Sequence, residues 1–260
     1  MGGKSRFVWH DFMAADVGGA KRFYGELFGW TFKPGDHDYE HIVAAGKEIG
    51  GMMKLDPKHG APPHWVGYVA VDDVDAACAT VTSSGGKIYV PKMDIPKVGQ
   101  FAICADPQGA VFSPFHYTGT DAGQAESNDR PGPYTFCWDE LVTSDPDAAV
   151  AFYTKLFGWG VEHMEMPGFG RYTLLKRPGV KDEMGADKNA GGVMKLPPGV
   201  PQSFWTTYVA VESADKTAEK AKKLGGTVMS PPMDIPDVGR FAVLMDPQHA
   251  ALAVLQPNAR

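Results

Sequence analysis

Apolar and polar positions along this chain follow two periods in turn. Phe7, Val8, Trp9, His10, Asp11, Phe12 and Met13 are rich in β-type residues and read as a strand. The period then lengthens. Ala20, Phe23, Leu27 and Phe28 recur at helical spacing behind Asp16, so a helix from about Val17 to Phe28 is predicted, with Asp16 as its cap and Gly29 as its stop. Short strands are expected around 30–32, 39–45 and 49–55. The order is β-α-β-β-β.

A Pro-containing connection, 56–63, leads into a second round. Residues 65–71 read as a strand, and Asp72 or Asp73 caps a helix carrying Val74, Ala77, Cys78 and Val81 that ends at Gly85-Gly86. Strands near 87–91 and 100–105 follow, then a turn at Asp106-Pro107-Gln108-Gly109 and a last strand over 110–117. The order is again β-α-β-β-β.

The whole pattern is duplicated. Phe23–Trp30 (FYGELFGW) returns as Phe152–Trp159 (FYTKLFGW) at an offset of 129 residues, and Trp9 and Trp138 share that offset. Tyr-Val-Ala-Val at Tyr68 returns at Tyr208, an offset of 140, so the second copy holds about eleven extra residues ahead of Gly192. Met93-Asp94-Ile95-Pro96 pairs with Met233-Asp234-Ile235-Pro236, and Asp106-Pro107-Gln108 with Asp246-Pro247-Gln248. Residues 118–133 are polar, Gly- and Pro-rich and aperiodic, and read as a linker. The domains expected are therefore 1–117 and 134–260. Pro and the glycines at 99 and 239 suggest a shaped hairpin after each Met-Asp-Ile-Pro, with the glycine permitting a tight turn.

Composition narrows the class. Of 260 residues, 43% are hydrophobic and 22% charged, as in soluble globular proteins. The net charge of −6 argues against nucleic acid or anionic membrane as partner. Three cysteines without metal-type spacing or repeat equivalence suit a reducing cytoplasm. No stretch reads as a signal peptide or a membrane span. The expected localisation is cytoplasmic.

Four β-α-β-β-β units, with FY-x-x-LFGW closing the first helix and a DPQ turn in the final hairpin, resemble the vicinal oxygen chelate superfamily, the glyoxalase, bleomycin-resistance and extradiol-dioxygenase group. The DIP-x-VG-x-FA stretches at Asp94–Ala102 and Asp234–Ala242 look like tandem glyoxalase-like proteins of hydroxylase type. The resemblance implies an α+β fold of two tandem domains with curled mixed sheets, each enclosing a cleft. It also implies a divalent metal held by His and Glu from the first and last strand of each unit. Carried over one at a time, those positions fall on Trp9, Val66 and Ser113 in the first copy, with a looser match near Gly51. In the second they fall on Trp138, Thr206 and Ala253, with Gly192. None is His or Glu, so no cofactor is predicted. A register slip of one residue would bring in His10, but His10 shares a face with Val8 and Phe12, which suit the side against the helix. His116 lies on the alternate face from Ser113.

In that register Trp9, Asp11, Tyr68 and Ser113 line the first cleft, and Trp138, Glu140 and Tyr208 the second. Arg240, which replaces Gln100, is a candidate contact for an anionic ligand in the second cleft only. Asp11 and Glu140 are repeat-equivalent, so each apolar-aromatic wall carries one acid. The reading expected is a glyoxalase/bleomycin-resistance-like protein, monomer or homodimer, that binds a small, partly apolar molecule without the family's metal. A glyoxalase-type lyase or oxygenase, metal-dependent through His10 or metal-free through Asp11 or Glu140, is one alternative. A structural module without ligand is the other.

Overall fold

The computed structural model describes residues 5–119, 132–166, 168 and 170–258, so most of the expected linker, 118–133, lies outside the described residues. The first copy runs β1 (Phe7–Ala14), α1 (Val17–Phe28), β2 (Thr31–Pro34), β3 (Glu40–Ala44) and β4 (Lys47–Lys54). It continues with β5 (His64–Ala70), α2 (Val74–Ser83), β6 (Lys87–Ile95), β7 (Gly99–Ala105) and β8 (Val111–Tyr117). The second copy repeats this as β9 (Phe136–Thr143), α3 (Pro146–Phe157), β10 (Gly160–Met166), β11 (Gly170–Lys181) and β12 (Asp187–Lys195). β13 (Phe204–Ala210), α4 (Ala214–Lys223), β14 (Thr227–Ile235), β15 (Gly239–Met245) and β16 (Ala251–Pro257) complete it.

Each copy contributes one eight-stranded mixed sheet, ordered β2-β3-β4-β1-β5-β8-β7-β6 and β10-β11-β12-β9-β13-β16-β15-β14. The first and last strands of each β-α-β-β-β unit pair in parallel, as β1 does with β4 and β5 with β8. The remaining links within a unit are antiparallel hairpins. Part of the second copy's extra length goes into a longer β11–β12 hairpin, twelve and nine residues against five and eight in β3 and β4.

The copies are units of sequence, whereas the compact units draw one half from each copy. One unit takes 9–66, 132–138 and 206–258, the other 5–8, 67–119 and 139–205. In the first of these, Phe12, Tyr24, Phe28, Trp30 and Trp65 share a core with Val209, Leu244, Leu252 and Val254. In the other, Val69, Cys104 and Phe112 pack with Tyr153, Phe157, Trp159 and Trp205. Each such side chain contributes about 1.5–3 kcal/mol by leaving water.

Both repeated motifs meet in these cores. The Tyr24 hydroxyl donates to Asp246 Oδ2 (2.9 Å) and accepts from Trp65 Nε1 (3.3 Å). Tyr153 donates to Asp106 Oδ2 (3.0 Å) and accepts from Trp205 Nε1 (2.8 Å). Each aspartate also accepts two backbone N–H bonds on Oδ1, Asp106 from Gln108 and Ala110, Asp246 from Gln248 and Ala250. The Phe-Tyr of one copy and the Asp-Pro-Gln of the other thus form one buried polar hub, built twice. Burial raises the carboxyl pKa of Asp106 and Asp246, against the opposing pull of these donors.

Two local expectations are corrected. The Asp16 side chain makes no cap bond to α1. Gln248 grips that helix end instead, accepting from Asp16 N (2.7 Å) and donating to Asp16 O (2.9 Å). In the second copy Asp145 does cap, through Ala148 N at 3.1 Å. The hairpin glycines also have a different role. The left-handed turn residues are Lys97 (φ 66°) and Asp237 (φ 63°). Gly99 and Gly239 are needed because a Cβ at either would overlap the carbonyl oxygen of His116 or Gln256, and Gly239, at φ 155°, also holds a backbone conformation that favours glycine.

Candidate functional site

Strand alternation places the candidate residues on the sheet face away from the helices. Phe12 packs on Tyr24 of α1 with ring centroids 5.4 Å apart, so Asp11 and Trp9 take the other face. His10 lies on the helix side, 6% exposed, its ring 4.2 Å from that of Phe136.

Around Asp11 the strands build a row. Asp11 on β1 is the register partner of Gly51 on β4, and Gly51 is the partner of His41 on β3. The missing side chain in the middle of the row makes room for a hydroxyl from one pleat along. Tyr39 OH donates to Asp11 Oδ1 (2.6 Å), while Trp9 Nε1 donates to the same carboxylate oxygen (2.9 Å) and to Tyr39 OH (2.8 Å). A methyl group on Gly51 would overlap the Tyr39 hydroxyl outright. Burial first, then the Asp11 charge, raises the Tyr39 phenol well above its ordinary pKa, so it stays a donor.

The second copy rebuilds the arrangement in the other unit. Glu140 on β9 pairs with Gly192 on β12, and Gly192 with Leu174 on β11. Tyr172 OH donates to Glu140 Oε2 at 2.8 Å, and a Cβ at Gly192 would overlap that hydroxyl. Asp11, Glu140 and Tyr172 are 5%, 8% and 8% exposed and Tyr39 is half-buried, so both carboxylates lie in the interior. The copies differ beside the pair. His41, with Glu48 Oε2 3.3 Å from its Nδ1, is replaced by Leu174, and Glu48 by Asn189.

The remaining predicted residues divide. Tyr68 lies with Phe101 and Phe115, ring centroids 6.0 and 6.1 Å away, on the face opposite Val69 and Phe112. Ser113, its register partner, is fully buried and donates to Ala102 O at 2.8 Å. Tyr208 forms an apolar cluster with Phe241 and Ala253, against which Trp138, Met233 and Ile235 pack. The second Met-Asp-Ile-Pro hairpin therefore contributes to this wall, whereas Met93 and Ile95 of the first are exposed. Arg240 is engaged, by Asp215 at 2.7 and 3.1 Å and Asp234 at 2.9 Å. Tyr39 and Tyr172 escaped the sequence reading. Their offset of 133 matches neither flanking block, so repeat alignment alone does not pair them. A hollow of about 390 Å³ bordered by Asp16, Arg22, Glu26 and Gln248 lies on the helix side and does not include the carboxylate face.

The positions to which the resemblance carries the family's metal ligands hold poor donors for a divalent cation. Indole nitrogen has no lone pair to give, Val66, Ala253 and the two glycines have no side-chain donor atom, and Ser113 and Thr206 offer only neutral hydroxyls, with Ser113 held to a backbone carbonyl. Among the described residues no group of three or more His, Cys, Asp or Glu is placed to hold a metal. The residues at these positions do not fit the metal.

Two eight-stranded sheets of paired β-α-β-β-β units, with a polar corner on the face away from the helices, define a class, and sequence comparison agrees. The chain belongs to the Glyoxalase/Bleomycin resistance protein/Dioxygenase superfamily, whose family model matches residues 6–113 and 135–254. Among its relatives, CFP32 of Mycobacterium tuberculosis, provisionally named a glyoxylase, is 38% identical over 257 residues, covering 96% of this chain and 94% of that one. The anthracycline biosynthesis protein DnrV of Streptomyces peucetius is 32% identical over 269 residues, covering 96% and 92%. Solved folds include the 2,2',3-trihydroxybiphenyl 1,2-dioxygenase of Sphingomonas wittichii, with TM-score 0.65, 12% identity and coverage of 97% and 90%. The Mn(II)-bound glyoxalase of Novosphingobium aromaticivorans aligns with TM-score 0.61 and 16% identity over 97% and 83%. No helix among the described residues is long and apolar enough to cross a membrane.

Proposed function

We propose that this member of the superfamily binds a small, partly apolar molecule on the sheet faces that carry the carboxylate–tyrosine pairs, and that it does so without the family's divalent metal. The supporting observation is the Tyr39 hydroxyl set on Gly51 and bonded to Asp11, with Tyr172, Gly192 and Glu140 repeating it. A polar hydrogen-bonded corner stands where the superfamily's looser fourth ligand was expected. Trp9 adds an aromatic surface beside the first pair, and aromatic walls are how small-molecule sites are commonly lined. On this reading the protein is a binder, acting in the cytoplasm as monomer or homodimer.

The glyoxylase name of CFP32 keeps a glyoxalase-type lyase as the second reading. Because DnrV is named for anthracycline biosynthesis, anthracyclines belong in the first ligand panel. The test is calorimetric titration of that panel, with other hydroxylated aromatics, into protein held in EDTA. Binding that persists in EDTA supports the proposal. Binding that appears only after Mn(II), Fe(II), Ni(II) or Zn(II) is restored overturns it in favour of the lyase or oxygenase.

A further inference from the structure

Two thiols far apart in the sequence meet on the helix side of the first sheet and take no part in the binding reading above. We propose that Cys78 and Cys104 are a site of reversible oxidation, closing to a disulfide between α2 and β7 when the protein meets a peroxide.

The packing of α2 on β7 carries this, and both elements belong to one compact unit. The buried face of α2 presents Val74, Ala77 and Val81, and Cys78 stands one turn before Val81, at the border of that face. Val81 marks where the helix reaches the strand. A Cβ on Gly86 would meet both Val81 Cγ1 (2.8 Å) and Ala105 O (2.6 Å). Cys104, the residue before Ala105, is fully buried and shares a core cluster with Ala77, Val81, Ala102 and Phe112. Cys78 packs against the same cluster, and the two thiols are within hydrogen-bonding reach of each other. Both are free. The equivalent places in the second copy hold Ala218 and Leu244, both buried in the other core, so the fold itself does not call for sulfur there.

Exposure orders the chemistry. Cys78 is partly exposed and Cys104 is sealed, so peroxide meets Cys78 first. The Cys78 thiolate attacks one peroxide oxygen, the O–O bond breaks, and a sulfenic acid forms as the first water leaves. The Cys104 sulfur then displaces the sulfenic hydroxyl, giving the S–S bond and the second water. Two thiols thus give up two electrons and two protons, and one hydrogen peroxide becomes two waters. A thiol reductant such as glutathione reverses the step, as in transient redox-sensing disulfides. Burial first holds the Cys78 thiol above its ordinary pKa, with the Asp75 charge adding to it against Cys104 and Lys92. Burial raises Cys104 well beyond the ordinary thiol range. Oxidation is therefore slow at neutral pH and quickens as pH rises.

The test treats the whole reduced protein with hydrogen peroxide, alkylates it in denaturant, and reads intact mass and a non-reducing peptide map. Two of the three thiols are expected to escape alkylation, with a loss of two hydrogens and one cross-linked peptide joining Cys78 to Cys104. Dithiothreitol restores all three. Cys137→Ser closes the same link, and Cys78→Ala abolishes it. Three alkylated thiols after peroxide, oxygen added to Cys78 without a cross-link, a link through Cys137, or a disulfide between two chains would each overturn the proposal. The wild-type peptide map decides the matter whether or not a variant at the buried Cys104 folds.

Discussion

Replacing Tyr24 by Phe removes one oxygen and leaves the ring, so it isolates the polar hub from the packing around it. The lost hydroxyl strands Trp65 Nε1, which donates to it at 3.3 Å, and removes the 2.9 Å bond to Asp246 Oδ2. Asp246 keeps its two backbone N–H bonds on Oδ1 at 2.8 and 2.9 Å, which limits the damage. A buried partner left unsatisfied costs about 1–3 kcal/mol, so the two together come to about 2–4 kcal/mol. Tyr153→Phe costs at least as much, because Trp205 holds that hydroxyl at 2.8 Å. Urea unfolding followed by Trp fluorescence and circular dichroism measures the difference. A double-mutant cycle of Tyr24→Phe with Asp246→Asn is expected to show coupling of about 1 kcal/mol or more. Losses under about 0.5 kcal/mol in both single variants would show that the hub contributes packing alone. Alkali supplies an independent check. Burial first, and then the facing aspartate charge, lifts both phenols well above 10.0. Their contribution is full below the ordinary phenol pKa and is lost as pH climbs above it, so wild type loses stability above pH 10 faster than the double Phe variant.

Other outcomes follow from the same geometry. Gly51→Ala and Gly192→Ala each drive a methyl group into a tyrosine hydroxyl, and the expected loss is about 1–3 kcal/mol by overpacking; thermal unfolding at or above the wild-type temperature in both would contradict the placement of Tyr39 and Tyr172. Burial raises the folded pKa of Asp106 and Asp246, so their stabilising contribution is present below the unfolded value of 3.8 and is lost as pH rises past the folded one. The wild type should therefore lose ground to Asp106→Asn, Asp246→Asn as pH rises above about 4, and a stability difference independent of pH would refute it.

The sequence carried much of this architecture because the repeated elements are locally determined. α1 spans Val17–Phe28 as its apolar spacing requires, and Gly29 at φ 73° stops it. Alternation put Trp9 and Asp11 on one face and His10 on the other, and the structure keeps that division. What escaped depends on partners far along the chain. The DPQ motif reads as a turn, and nothing near it says that Asp246 will receive a proton from Tyr24, 222 residues away. Arg240 reads as a free cation until the register of β14 and β15 sets it beside Asp234. Tyr39 and Tyr172 sit where strand lengths change between copies, which hid their equivalence, while the glycines that make room for them were visible all along.

The most direct test of the central claim is elemental analysis of the full-length protein after incubation with Mn(II), Fe(II), Ni(II) or Zn(II) and desalting. The donor set at the superfamily's metal positions predicts no stoichiometric metal in wild type, and no change in that result for His10→Ala. One metal per chain, lost on Asp11→Ala or His10→Ala, would contradict it and make a metal-dependent lyase or oxygenase the better account.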